Sequence, residues 1–252
     1  MKTWNWRLAC AVAVALVCSL PLSAQTQLIC TGLPSHAGLR MALSAALDGN
    51  GGLGNEMWAS VVNRDGQVCR VVFSGDDRDD QWPGSRVIAM QKANTANAFS
   101  VAGLALSTAN LFTAVQPGGS LFGLQESNPV DVGVAYKGPA QRFGQSNDPA
   151  LTRVIGGVNV FGGGLPLYGF DEDGAVALIG AIGVSGDTSC TDHIVAWRVR
   201  DALGLDMVPA GVSATGDDNI IHDSANGFAH PECDPTATDK ANDLPVTNPI
   251  GS

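Results

Sequence analysis

Few side chains in this sequence are equipped for chemistry. The histidines are His36, His193, His222 and His230, and the tyrosines are Tyr136 and Tyr168. Beyond residue 24 the cysteines are Cys30, Cys69, Cys190 and Cys233. No C-x-x-C or C-x-x-C-H run occurs, so neither a cysteine zinc cluster nor a covalently attached iron cofactor is indicated. His222 and His230 lie in "DDNIIHDSANGFAHPECD" (217–234). Their spacing matches no standard metal site, which favours a solvated tail over a metal-binding one. Ser185, in Gly-Val-Ser-Gly, falls one residue short of a nucleophile elbow. Asp192 and His193 are adjacent in sequence, which does not make a triad. The reading leans away from catalysis and towards binding.

Two places have the chemistry of a binding site. In "IGAIGVSGDTSCTDH" (179–193) an apolar strand runs into an acidic helix start, with Gly180, Gly183 and Gly186 three residues apart. Strand side chains alternate between faces, so this spacing strips both faces in turn. Gly180 and Gly183 are expected to admit helices, or a second subunit, on either face. Gly186 then allows a sharp exit, and the backbone N–H groups before the next helix suit an anionic group. The second place is "MQKANTANAF" (90–99) with its flanking residues, where Ala89, Ala93, Ala96 and Ser100 form a narrow face of small residues. Lys92, Thr95 and Phe99 border that face. Lys92 is expected to pair with a ligand carboxylate, and Thr95 either to contact a ligand or to bond back to its own helix.

The elements that must position these residues follow from periodicity. His36–Leu47 carries Leu39, Ala42, Leu43 and Ala46 at helical spacing and stops at a glycine-rich run. Met57–Asn63 and Gln67–Phe73 read as strands joined by an Asp65-Gly66 hairpin. Asp76–Asp80 is a solvated acidic loop, and Pro83 prepares a helix over Ser85–Ser100. Residues 103–153 are broken by Gly118-Gly119, Pro129, Pro139 and Pro149 and suggest short elements, an exposed loop or an oligomer contact. Strand signal returns in "RVIGGVNVFGGG" (153–164), "LPLYGF" (165–170) and "GAVALIGAIGVSG" (174–186). Both faces of the last run are apolar, so it belongs mid-sheet, covered on both sides. A helix capped by Ser189 or Thr191 follows, ended by Gly204, and residues 205–252 look irregular. The order fits an α/β (α+β) chain with one antiparallel sheet of about five strands and helices packed on it.

Residues 1–24 have the form of a signal peptide: Lys2 and Arg7, an apolar run over Leu8–Val17, Pro21, and a small residue at Ala24. The expected layout is therefore signal 1–24, domain 25–204 with its insertion at 103–153, and tail 205–252. The expected location is outside the cytoplasm, periplasmic or extracellular. No later stretch is long and apolar enough to span a membrane. The four remaining cysteines allow three pairings; Cys30–Cys69 would tie the N-terminus to the first hairpin and Cys190–Cys233 would pin the tail, and these are the pairings expected. Net charge is −10, which repels nucleic-acid phosphates and excludes that class of partner. At 45% hydrophobic and 15% charged residues, the chain is composed for a packed core and not for disorder.

Three blocks in order, "MQKANTANAF" (90–99), "GGGLPLY" (162–168) and "IGAIGVSGDTSCTDH", resemble the GlcG/HbpS family, the haem-degrading-domain family that includes the C-terminal domain of PduO-type proteins. Matching positions are Lys92–Ala96, Gly163–Pro166, and Gly180–Gly186 with Asp192. The resemblance spans roughly residues 36–204. It implies a profilin-like fold, frequent homo-oligomers and haem (heme) as the bound cofactor. On that resemblance, the site is a pocket between the 85–100 helix and the 162–166 turn. Lys92, Thr95, Phe99, Gly163, Gly164, Pro166, Gly186 and Asp192 would contact the ligand, and His36 would be the iron ligand. The chain departs from the family at "SGDDRDDQWPGS" (74–85), where members often carry Arg-x-Asp-Gly-Ala, and in the 103–153 insertion. These departures favour an alternative: a binding protein or enzyme for another small anionic or aromatic ligand. A third reading is an assembly protein whose alanine and glycine faces only build an oligomer.

Overall fold

The structure is a computed structural model that describes residues 29–171 and 173–251. The signal segment expected at 1–24 lies outside the described residues. Helix α1 (His36–Ala46) is capped by Ser35, whose hydroxyl accepts from Gly38 N–H, and buries Leu39, Ala42, Leu43 and Ala46. Strands β1 (Trp58–Asn63) and β2 (Val68–Phe73) pair antiparallel as the expected hairpin. Gly66 supplies the positive φ, +75°, that the turn demands. Helix α2 (Ser85–Phe99) follows. After the insertion come β3 (Gly164–Phe170), β4 (Val176–Ser185) and α3 (Ser189–Ala202). The N-cap of α3 is Thr188, one residue before the nearer candidate, and its side chain accepts from Thr191 N–H.

The sheet order is β2-β1-β4-β3, with every pairing antiparallel. It has four strands, one fewer than expected. Of the run 153–164 only Gly164 enters the sheet, as the start of β3; the rest makes isolated bridges, Gln67 with Val154 and Val130 with Gly156. Gly156 and Gly157 take φ of +64° and +81°, which turns the chain out of extended backbone. β3 is an edge strand, the position that tolerates Pro166.

β4 lies inside the sheet as its composition requires. Ile182 and Val184 enter a core shared with α1, α3 and the C-terminal helix α4 (Pro235–Thr247), while Ala181 enters a second core under α2. Cover on both faces holds from Gly180 onward; Val176, at the other end, is 47% exposed. The glycines divide the work differently from expectation. A Cβ on Gly183 would sit 2.0 Å from Ala89 O and 2.6 Å from Ala93 N, so α2 rests backbone-on-backbone against the strand. A Cβ on Gly180 would instead meet Val62 O of β1 at 2.2 Å, so that glycine serves strand pairing and not a helix. At Gly186 the obstacles are Glu56 O and Met57 Cα, both at 2.7 Å.

The irregular segments are tied down by buried ion pairs. Arg86 of α2 holds the insertion: Nε donates to Asp148 Oδ2 at 2.9 Å, Nη2 to Asp148 Oδ1, and Nη1 to Ala135 O at 2.7 Å. Short helical turns at Phe112–Val115, Leu124–Ser127 and Val132–Ala135 fill that insertion. Arg200 of α3 holds the tail through a two-pronged contact with Asp218 at 2.7 and 2.8 Å. The tail is not irregular throughout. Asp234 caps α4, which buries Ala237, Ala241 and Leu244. Cys30 is bonded to Cys69 and Cys190 to Cys233, the expected pairings. Among the described residues no helix is long and apolar enough to cross a membrane.

Gly183→Ala is expected to cost about 2–3 kcal/mol, because neither backbone can move aside. Gly84→Ala, at φ −65° with nothing within 4 Å, is expected to stay within about 1 kcal/mol of the parent. Urea denaturation midpoints of the two variants check the contrast.

Candidate functional site

At the end of β4 the chain turns through Ser185, Gly186 and Asp187 into α3. The close seat of α2 on Gly183 carries Lys92 to this corner. Its Nζ donates to Val184 O at 3.0 Å and to Asp192 Oδ2 at 2.6 Å. The other carboxylate oxygen of Asp192 accepts from Gly186 N–H at 3.0 Å and Asp187 N–H at 2.9 Å. The Asp187 carboxylate accepts from the backbone N–H of Leu53, Asn55 and Thr188. Both side chains of the Lys92–Asp192 pair are at most 3% exposed. Burial is the largest influence on each: it lowers the pKa of Lys92 and pushes that of Asp192 up to about 6, while their attraction opposes both shifts.

This arrangement gives the expected site residues partners within the chain. Lys92 spends its charge on Asp192, and the loop N–H groups offered to a ligand anion are already held by the same carboxylate. Gly163, at φ +109°, leaves room for this pair; a Cβ there would sit 2.9 Å from Asp192 Cβ and 3.2 Å from Lys92 Nζ. At Gly164 a Cβ would be 2.6 Å from Lys92 O. The structure therefore brings Lys92, Gly163, Gly164, Gly186 and Asp192 together, as a built corner.

It does not bring the others. Thr95 Oγ1 donates to Gln91 O of its own helix at 2.8 Å and accepts from Asn159 N–H at 3.0 Å. Phe99 packs in a small apolar cluster around Leu111, Val115 and Val160. Pro166 is buried in β3, its carbonyl accepting from Arg200. His36 Nε2 donates to Gly144 O at 2.8 Å, and the residue is not among those lining the cleft.

Over the corner opens a half-open cleft of about 250 Å³. Lys92, Asp187 and Asp192 form its polar end, with Trp82, Ser85, Ile88, Phe161, Ser185 and Ser189 completing the lining. Trp82 and Phe161 are 51% and 48% exposed. Neither was marked by sequence reasoning, since each sits in a loop with no periodic signal; a lone aromatic beside Pro or Gly-Gly was the one available clue. The cleft has two carboxylates against one ammonium, so its polar end does not attract an anion. Apolar edges and three serine hydroxyls suit a flat, largely apolar molecule.

The remaining histidines are also more buried than expected. His193 is fully enclosed, its Nε2 accepting from Ile220 N–H at 3.1 Å, and burial lowers its pKa to about 3. His230 is 4% exposed and lowered to about 4 by burial, so its part of the tail is not solvated.

The covered antiparallel sheet with helices packed on it defines an α/β class of protein, with a small cleft at the end of its central strand as the candidate site. The chain belongs to the family described as haem degrading protein HbpS-like, whose model matches residues 35–200. Solved structures similar to it include Klebsiella pneumoniae protein ORFY, at 26% identity over 68% of this chain and 90% of that one, TM-score 0.42. A PduOC:heme complex is 23% identical over 66% and 89%, TM-score 0.43. A double mutant of Streptomyces reticuli HbpS is 18% identical over 66% and 84%, TM-score 0.40. No curated protein matches the chain.

Lys92→Met is expected to cost about 3 kcal/mol by stranding a buried carboxylate. Asp192→Leu is expected to cost more, since it strands the ammonium and also orphans two backbone N–H groups. Chemical denaturation at pH 7 checks the order. Stability is also expected to fall as pH drops from about 6.5 towards 4. His193 and His230 have folded pKa values below the unfolded value, so the unfolded chain takes up protons first. Asp192, with its raised pKa, opposes this between about pH 4 and 6. Denaturation midpoints at pH 7 and 5 should converge in part in His230→Asn.

Proposed function

We propose that this chain is an exported haem- or tetrapyrrole-binding protein that holds its ligand without transforming it, as a homo-oligomer. Membership of the HbpS-like family over residues 35–200 is the observation that carries this reading. The cleft beside Trp82 and Phe161 supports it, because exposed aromatic rings offer stacking surface to a macrocycle. At about 250 Å³ the cleft is smaller than an enclosed pocket for a drug-sized ligand. It would take one edge of the macrocycle, the rest lying on the surface around it.

The fit to iron is different. Among the described residues, no histidine, tyrosine, cysteine or methionine lines the cleft. The lining residues suit the ring system and its edges, and supply no axial ligand. Lys92 is neutralised and the Ser189 hydroxyl faces Cys233 Sγ, so Ser85 and Ser185 would be the donors for a propionate. The same donor set favours a second reading, a planar aromatic ligand without a metal.

Export is supported by the signal-like segment and by two disulfides, which persist in oxidising compartments. Scavenging, buffering or sensing outside the cytoplasm would each need only reversible binding. Light scattering is expected to report more than one subunit.

Titration of purified protein with haemin is expected to shift the Soret band, and Trp82→Ala to weaken binding about 3- to 10-fold. Iron-free protoporphyrin is expected to bind comparably, since the ring is what the cleft holds. Failure of both titrations rejects the reading. Binding of haemin alone would place an iron ligand elsewhere on the chain.

A further inference from the structure

We propose that the corner formed by Cys190, Cys233, His222 and His230 is a zinc site closed by its own disulfide, which reduction converts to a Cys2His2 set. The ligand atoms are already assembled. Cys190 Sγ and one ring nitrogen each of His222 and His230 lie within 4.8 Å of one another. Cys233 Sγ is bonded to Cys190 and so stands beside them.

The histidines are prepared as ligands. His222 Nδ1 faces His230 O at 3.3 Å, and His230 Nδ1 faces Pro231 O at 2.7 Å. A carbonyl only accepts, so each Nδ1 is the donor, and in the neutral imidazoles each Nε2 carries a bare lone pair. Ring N–H groups anchored to backbone carbonyls are the usual support of metal-bound imidazoles. Both Nε2 atoms are buried without any hydrogen-bond partner. Such orphaned acceptors cost stability, and the disulfide-bonded state gives them nothing to do. Four ligands on tetrahedral zinc lie roughly 3.3–3.7 Å apart, by Zn–S near 2.3 Å and Zn–N near 2.0–2.1 Å. Closing from 4.8 Å needs a movement of at most about 1.1–1.5 Å per pair, which cutting the S–S bond permits.

The two sulfurs differ in access. Cys233 is exposed and Cys190 fully buried. A dithiol reductant can reach Cys233: its thiolate bonds to Cys233 Sγ and expels Cys190 as thiolate, beside the imidazoles. The reductant's second thiol then closes its own disulfide and releases Cys233. The reductant gives up two electrons and two protons, which leave Cys190 and Cys233 as two thiols. Zinc binding to these and the two neutral imidazoles releases two protons.

The test uses the full chain, reduced with dithiothreitol, desalted without oxygen and titrated with Co2+. One Co2+ per chain is expected, with a thiolate-to-cobalt charge-transfer band that Zn2+ removes. The oxidised chain should show no such band, and His222→Ala/His230→Ala should bind at least about tenfold more weakly. Absence of the band in reduced wild type, or an unchanged titration in the double variant, overturns the proposal. If the variant does not fold, alkylation of the reduced wild type decides. Zn2+ should shield Cys190 and Cys233 but not Cys30 and Cys69; equal labelling with and without Zn2+ overturns it. Neither outcome depends on whether haem binds.

Discussion

At Gly183 helix α2 touches β4 without a side chain between them. There the helix backbone lies where any Cβ would be, and this approach sets the depth of everything α2 carries. Lys92 is drawn so far in that its side chain is almost wholly buried, and a buried charge must be paired. Asp192, in the first turn of α3, is the partner. Its second oxygen gathers the N–H groups of Gly186 and Asp187, so one electrostatic requirement also shapes the exit from β4. The Gly163-Gly164 turn can then pass close to the pair only because it has no side chains.

The same logic is repeated at two other places. Arg86–Asp148 and Arg200–Asp218 each join a helix on the sheet to a segment with little regular structure. Such pairs add little net stability over apolar packing, because desolvating both charges offsets most of the attraction. They are strict about geometry, however. A guanidinium with two prongs on one carboxylate accepts a single placement of the loop that bears it. For a chain with low aromatic content and long glycine-rich connections, directional contacts of this kind fix the insertion and the tail where bulk packing alone would not.

The chemistry of the molecule is thereby split between two ends of α3's first turn. One side is a neutralised corner under an aromatic-edged cleft, suited to a ring system. The other collects imidazoles and sulfurs against the tail. The residues that match the family at the corner act on each other before they act on any ligand. They shape the polar end of the cleft, and on the proposed function contact with a bound molecule would fall also to less regular positions such as Trp82 and Phe161.

Much of the frame was legible in sequence. Period-3.6 and period-2 patterns located α1, β1, β2, α2 and α3, and two apolar faces placed β4 inside the sheet. The Asp65-Gly66 turn also followed from local spacing, whereas the sequence left three cysteine pairings open and the structure selects the one expected. What sequence could not decide was depth and partnership. Lys92 looked like a helix-border residue with a free charge; its burial depends on a contact with a glycine 91 positions away. The 153–164 run had strand composition, yet its glycines adopted left-handed φ once the chain had to turn beside Gln67 and Val130. His222 and His230 looked solvated because their neighbours are acidic, but Arg200 and the Cys190–Cys233 bond fold that stretch against α3. Periodicity is a property of neighbours along the chain and survives without tertiary structure. Pairing of charges, orphaned nitrogens and the shape of a cleft depend on residues scores of positions apart, and only packing brings them into contact.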